Sequence, residues 1–178
     1  MTFNIGVGCT DLFPYELWGR LSGRVWRQFR HQDWKLNQPG GYLPLRQAIS
    51  QYVRTTRGVD CHEEQVLIVN GTQQAMNLTA QVLLQKGDEL WLDEPGYDGA
   101  LGAFAAFGAN VRPVISDKQG MDIASAIQHW PQAKMMFTSP SHQFPLGGTL
   151  SLSRRMALLE WAADNKMWIF EDDYNSEF

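Results

Sequence analysis

Cysteine is nearly absent from this chain. Only Cys9 and Cys61 occur among 178 residues, with no Cys-x-x-Cys spacing, which argues against a disulfide framework and against a thiolate zinc site. The four histidines, His31, His62, His129 and His142, form no i,i+4 pair and no His-Glu-x-x-His run. No helix face therefore offers two imidazoles to a metal, and no metal site is expected. Long apolar runs are missing too: Val66–Val69 and Ala100–Phe107 stop well short of the roughly 20 residues that cross a membrane. The opening Met1-Thr2-Phe3-Asn4-Ile5-Gly6 has neither the basic start nor the apolar core of a signal peptide, so a cytoplasmic location is expected. Basic charge is not in excess. With 15 Lys and Arg against 19 Asp and Glu the net charge is -4, the wrong sign for a chain that grips nucleic acid by itself. The Walker phosphate loop is absent, and Gly6-Val7-Gly8 fails the dinucleotide fingerprint because Asp11 stands where the third glycine belongs.

What is present is enough apolar material, 44% of the residues, for a globular body of ordinary size. The segment Tyr15–Arg30 reads as a helix with Arg20, Arg24, Arg27 and Arg30 along one solvated or interface stripe. Asp33–Gly41, with Pro39, Gly40 and Gly41, punctuates the chain as a turn. It divides an N-terminal arm, residues 1–40, from a body, residues 41–178. In the body Leu45, Ile49, Tyr52 and Val53 mark the apolar face of a helix that Gly58 ends in a left-handed cap. Gln65–Val69 reads as a buried strand, followed by a helix with Ala75, Met76, Thr79, Val82 and Leu83 facing inward. Strands over Glu89–Leu92, Asn110–Ile115, Lys134–Thr138 and Met167–Phe170 then alternate with helices over Gly99–Phe107, Met121–Trp130 and Ser153–Asn165. Such alternation predicts an α/β fold with a mostly parallel sheet and helices on both faces.

In an open α/β sheet the ligand sits at the carboxyl ends of the strands. Three such ends here carry residues that packing does not require. Asn70-Gly71-Thr72-Gln73-Gln74 opens a helix whose first free amides suit a phosphate, although many strand-to-helix turns look the same. Asp93-Glu94-Pro95-Gly96-Tyr97 puts an aromatic ring on a turn, where it either stacks on a flat ligand or is a half-buried loop tyrosine. Glu171-Asp172-Asp173-Tyr174 gathers carboxylates that call for a compensating cation, a metal or a protonated ring nitrogen, unless they form a solvated turn.

Read together with Ser139-Pro140-Ser141-His142-Gln143-Phe144-Pro145-Leu146-Gly147, Arg154-Arg155 and the continuation Asn175-Ser176-Glu177-Phe178, these strings closely resemble the aminotransferase-like domain of MocR-type regulators. These regulators are a branch of the GntR family, and the domain has the fold type I architecture of aspartate aminotransferase. The likeness runs from about Phe13-Pro14 to the last residue. It implies part of the large domain of that fold and pyridoxal 5'-phosphate (PLP) as cofactor, with a homodimer in the parent protein. On this resemblance Gly71, Thr72 and Gln73 hold the phosphate and Tyr97 stacks on the pyridine ring. Asp172 pairs with the ring nitrogen and keeps it protonated, so that the ring withdraws electrons from reacting substrate. Tyr174 bonds the phenolic oxygen, for which His142, or its rival Gln143, is a further candidate.

The lysine that such domains join covalently to the cofactor lies beyond the Asp-x-Tyr pair, usually in a Ser-x-x-Lys setting. None of Lys35, Lys86, Lys118, Lys134 and Lys166 has a serine three residues before it, so no catalytic residue is assigned and transamination by this polypeptide alone is not expected. A winged helix-turn-helix, expected ahead of such a domain in a complete regulator, is not seen either. The chain thus reads as a portion of a larger protein whose contact with DNA lies elsewhere. A sheet deprived of further partners is expected to make it poorly soluble or self-associating. The leading reading is an effector domain of a transcriptional regulator that senses PLP or an amino compound. Its rivals are part of a genuine aminotransferase acting on amino acids, and an unrelated phosphate- or Mg²⁺-binding module.

Overall fold

The computed structural model describes residues 10–29 and 39–174. The expectations for Met1–Gly8, Cys9, Arg30, His31, Lys35, most of Asp33–Gly41 and Asn175–Phe178 lie outside them. The chain divides into two compact units, Met1–Ile68 and Val69–Phe178.

The first unit contains α1, Tyr15–Gln28, and α2, Leu43–Arg57. Helix α1 has no buried residue, and Leu17, Trp18, Leu21, Val25 and Trp26 stay exposed. Helix α2 has proline in its first turn, where no amide is needed, and ends at Gly58 with φ 64°, the left-handed cap expected. Its apolar stripe is less covered than the spacing predicts. Leu45 and Tyr52 are exposed, and the buried residue is Ser50, whose hydroxyl donates to the Gln47 carbonyl at 3.0 Å.

One predicted strand does not form. Gln65 closes a short 3-10 turn, Glu63–Gln65, and residues 66–69 join no ladder. A strand exists only through a neighbour that satisfies its peptide groups, and here Arg46 of α2 and the Gly40 carbonyl supply substitutes. Arg46 donates to the Val66 and Glu63 carbonyls at 2.9 and 2.6 Å, and the Ile68 amide donates to Gly40 O at 2.9 Å. Leu67 and Ile68 are correspondingly exposed.

The second unit is the α/β body. Its elements are α3 Thr72–Leu83, β1 Glu89–Glu94, α4 Asp98–Phe107, β2 Asn110–Asp117, β3 Gly120–Met121, α5 Ile123–His129, β4 Met135–Thr138, α6 Leu152–Asn165 and β5 Trp168–Glu171. The strands form one sheet in the order β3-β2-β1-β4-β5. All pairs are parallel except β2 with β3, a hairpin that takes in Met121, the residue expected to open a helix.

Alternation along β1 and β4 builds a core on each face. Leu90, Leu92, Met135 and Phe137 pack with Met76, Ala80, Ala100 and Phe104 of α3 and α4. Trp91 and Met136 point the other way, to Ile123, Ala126, Leu158 and Ala162 of α5 and α6. In α3 the inward face is carried by Met76 and Ala80. Val82, expected inside, is 78% exposed, because its position lies well round the helix from the Met76–Ala80 line. Helix α5 is capped by Asp122, whose carboxylate accepts from Ser125 N at 3.0 Å.

The hairpin is locked by Arg154 of α6, which grips Asp117 with two nitrogens at 2.7 and 2.8 Å and the Gly120 carbonyl with one. Hydrogen bonding to Arg154 holds the exposed Asp117 carboxyl below its ordinary range. A carboxyl depressed in the folded state adds stability above its unfolded pKa of about 3.9, and loses it as pH falls through the lower folded value. The urea midpoint is therefore expected to fall faster below about pH 4 in the unaltered protein than in Arg154→Met, the difference being small because the pair is open to water.

Candidate functional site

Strand geometry sends the chain ends of β1, β4 and β5 to one edge of the body, and the predicted residues of the three strings gather there. Helix α3 runs back against β1, so its N-terminus lies at the carboxyl end of the strands. Gly71 precedes it with φ 94° and no side-chain cap, a conformation glycine adopts without strain. The first-turn amides have no carbonyl four residues back within the helix, and Gly71, Thr72 and Gln73 are all exposed.

Tyr97 follows β1 and reaches this helix start, with Gln73 Nε2 donating to its hydroxyl at 3.4 Å. Phe144 packs edge-on against the Tyr97 ring, centroids 5.9 Å apart. Gly99 is a residue the sequence reading missed: a Cβ there would collide with the Tyr97 ring and with Gln73 Nε2. A glycine inside the first turn of α4, where most residues would serve a helix better, was the available signal.

Asp172 lies one residue past β5. Its amide donates to the Thr138 carbonyl at 2.9 Å, which extends the β4–β5 ladder and puts Asp172 on the face of Phe170, the α3–α4 side. Burial first, then the Asp173 charge, push its carboxyl above the ordinary range. Among the described residues no lysine or arginine pairs with it. The Tyr174 hydroxyl donates to the His142 carbonyl at 2.8 Å, and the two rings meet edge-on at 6.1 Å. Its proton is thus engaged by the loop.

His142 keeps an exposed side chain, whereas Gln143 is 3% exposed. The Gln143 amide donates to the Pro95 carbonyl at 2.7 Å and accepts from Leu146 N at 3.2 Å, so it ties the 139–150 loop to the Tyr97 turn. Arg155 secures the same loop through the Pro140 and Leu150 carbonyls, both at 2.8 Å. Lys86, Lys134 and Lys166 lie before β1, β4 and β5, at the other end of the sheet, and Lys118 sits in the outer hairpin. Among the described residues no three His, Cys, Asp or Glu side chains are placed to hold a metal ion.

The arrangement combines a helix start without a side-chain cap, an aromatic ring and, among the described residues, a carboxyl with no Lys or Arg partner beside a hydrogen-bonded loop. Aminotransferase class I and II matches residues 25–178. The probable rhizopine catabolism regulatory protein MocR of Rhizobium meliloti is 36% identical across the whole chain, which spans 36% of that protein. The uncharacterized HTH-type transcriptional regulator YdeL of Bacillus subtilis is 32% identical over 99% of the chain, which spans 37% of it. Among solved structures, the α-aminoadipate aminotransferase LysN of Thermus thermophilus, in complex with N-(5'-phosphopyridoxyl)-L-leucine, superposes with a TM-score of 0.81 at 28% identity. That match covers 94% of this chain and 42% of the LysN chain. The chain therefore spans little more than a third of the length of these regulators.

Proposed function

Because the chain belongs to the aminotransferase class I and II family, we propose that it is the PLP-binding, aminotransferase-like part of a MocR-type transcriptional regulator, sensing PLP or an amino compound. The observation that carries this is the half-buried Asp172 carboxyl, raised by burial and by Asp173, with no lysine or arginine among the described residues to pair it. That is the state of an acid waiting for a positive partner, which a protonated pyridine nitrogen supplies. The uncapped amides of α3 after Gly71 fit the phosphate group, and the Tyr97 ring, steadied by Gln73 and Phe144, fits the flat heterocycle.

On this reading Gly71, Thr72 and Gln73 bind the phosphate, Tyr97 orients the ring and Asp172 holds a proton on its nitrogen. Tyr174 reaches the phenolic oxygen by giving up the His142 carbonyl, with His142 beside it. The cofactor, when bound, supplies an electron-withdrawing ring and an aldehyde that reacts with amines. The regulator reading is favoured over an enzyme fragment by the two regulators similar along essentially the whole chain. DNA recognition then belongs to residues of the parent protein beyond these, the parent protein is a homodimer, and it works in the cytoplasm. No helix among the described residues is long and apolar enough to cross a membrane.

Titrating the chain with PLP while following absorbance and induced dichroism tests the proposal. Saturable dichroism in the cofactor band is the expected result, and its absence overturns the reading. Gly99→Ala separates binding from folding: the methyl displaces Tyr97 and Gln73, the movable ends of side chains. Stability is expected to change by less than about 1 kcal/mol, since alanine suits a helix better. PLP affinity should fall about tenfold, in line with losing one well-placed aromatic contact.

A further inference from the structure

Behind the site, on the α5–α6 face, lies a buried polar group that the proposed binding does not use. Asp93 is 5% exposed, Ser116 8% and Thr138 3%, and they stand side by side at the carboxyl ends of β1, β2 and β4. The Ser116 hydroxyl donates to Asp93 Oδ1 at 2.5 Å, and the Thr138 side chain also hydrogen-bonds the same carboxyl. Burial raises the Asp93 carboxyl above its usual range, with both hydroxyls pulling the other way. A buried polar group that is fully partnered fixes its neighbours in one arrangement, whereas one that loses a partner is costly.

The place of this cluster in the chain gives it leverage. Asp93 is followed directly by the Glu94–Tyr97 turn, and Gly96 in that turn packs so close to the Asp93 carbonyl that a Cβ would clash with it. Thr138 begins the loop that carries His142 and Gln143, and its carbonyl takes the Asp172 amide. The Pro95 carbonyl, in the turn, takes Gln143. Three strand ends, and the two segments that bear Tyr97 and Asp172, therefore meet at one carboxyl.

We infer that Asp93, through Ser116 and Thr138, is a positioning residue that sets the Tyr97 ring against Asp172 from the opposite face of the sheet. The inference rests on the cofactor reading above for its functional meaning, but its test needs no cofactor. Amide hydrogen exchange of the unliganded chain, followed by mass spectrometry, is compared for Asp93→Ala, Thr138→Val, Ser116→Ala and Asp93→Asn. Asp93→Ala and Thr138→Val are expected to speed exchange about tenfold over residues 94–99 and 139–150, the loss of one buried hydrogen bond read as a rate. Exchange in α5 and α6 should stay within about twofold in these variants. Asp93→Asn keeps an acceptor for Ser116 and should restore slow exchange in both segments. Unchanged exchange in the two segments, or an equal rise across the whole sheet, overturns the inference. If Asp93→Ala does not fold, Thr138→Val and Ser116→Ala decide by the same readout. A chain that shows this pattern yet gives no dichroism with PLP refutes the cofactor reading and leaves the positioning role standing.

Discussion

Replacing Asp172 by alanine is expected to weaken PLP binding by about 10- to 100-fold, the range for losing a charge-assisted hydrogen bond in a partly buried site. The same change should leave the unliganded chain as stable as before, or slightly more so. Asp172 is desolvated, sits beside Asp173 and has its carboxyl pushed upward. Its ionised form is therefore a burden on the fold when no cation is bound. A carboxyl raised in the folded state lowers stability as pH rises from the unfolded value toward the folded one, because the unfolded chain gives up its proton first. Asp172→Ala should remove that slope from a plot of urea midpoint against pH. Binding measured by dichroism and stability measured by urea would thus move independently. A parallel loss of both would mean that Asp172 supports the fold and not a ligand.

The second large effect is on stability. Phe137 of β4 is 2% exposed, stacks on Phe170 of β5 at 5.3 Å and meets Phe104 of α4 edge-on at 6.2 Å. Phe104 and Phe170 also touch edge-on, at 6.4 Å, so the three rings close a triangle under the site. Phe137→Ala leaves a ring-sized void between a helix and two strands that cannot close it without moving the sheet, at a cost of about 3–5 kcal/mol. Against a total of about 5–15 kcal/mol this removes a large fraction of the stability. The urea midpoint should fall steeply, and the rings that keep β5, and hence Asp172, against β4 would be lost with it. A change below about 1 kcal/mol would mean that the neighbouring rings refill the space.

The sequence announced the α/β body well because β1, β4 and β5 are short, mainly apolar runs, and Gly108 ends α4 in the left-handed conformation as Gly58 ends α2. Gln65–Val69 has the pattern of a strand without forming one. A β-branched run records a preference for extended backbone but not whether a neighbour is present, and here Arg46 takes the carbonyl that a strand would have used. The β2–β3 hairpin escaped notice because a two-residue strand has no periodicity to display.

At the site, Gly71, Tyr97, Asp172 and Tyr174 were legible as residues that packing does not demand at strand ends. The contacts of Gly99, Gln143 and Asp93 were not. A glycine's missing methyl, an amide spent on a carbonyl 48 residues away and a carboxyl partnered across three strands all depend on what lies opposite, and no local pattern encodes that.

The Arg154 clamp has an effect on how this sheet can grow. With β3 folded back antiparallel on β2 and pinned through Asp117 and Gly120, that flank offers a newcomer only a two-residue stub. The β5 flank presents the unmatched peptide groups of Trp168–Glu171 among the described residues. Among the described residues, an additional strand therefore finds its longer open seam along β5, next to Asp172. Extension of the sheet there would lay new backbone beside Asp172, and capping that seam by misassociation would block it.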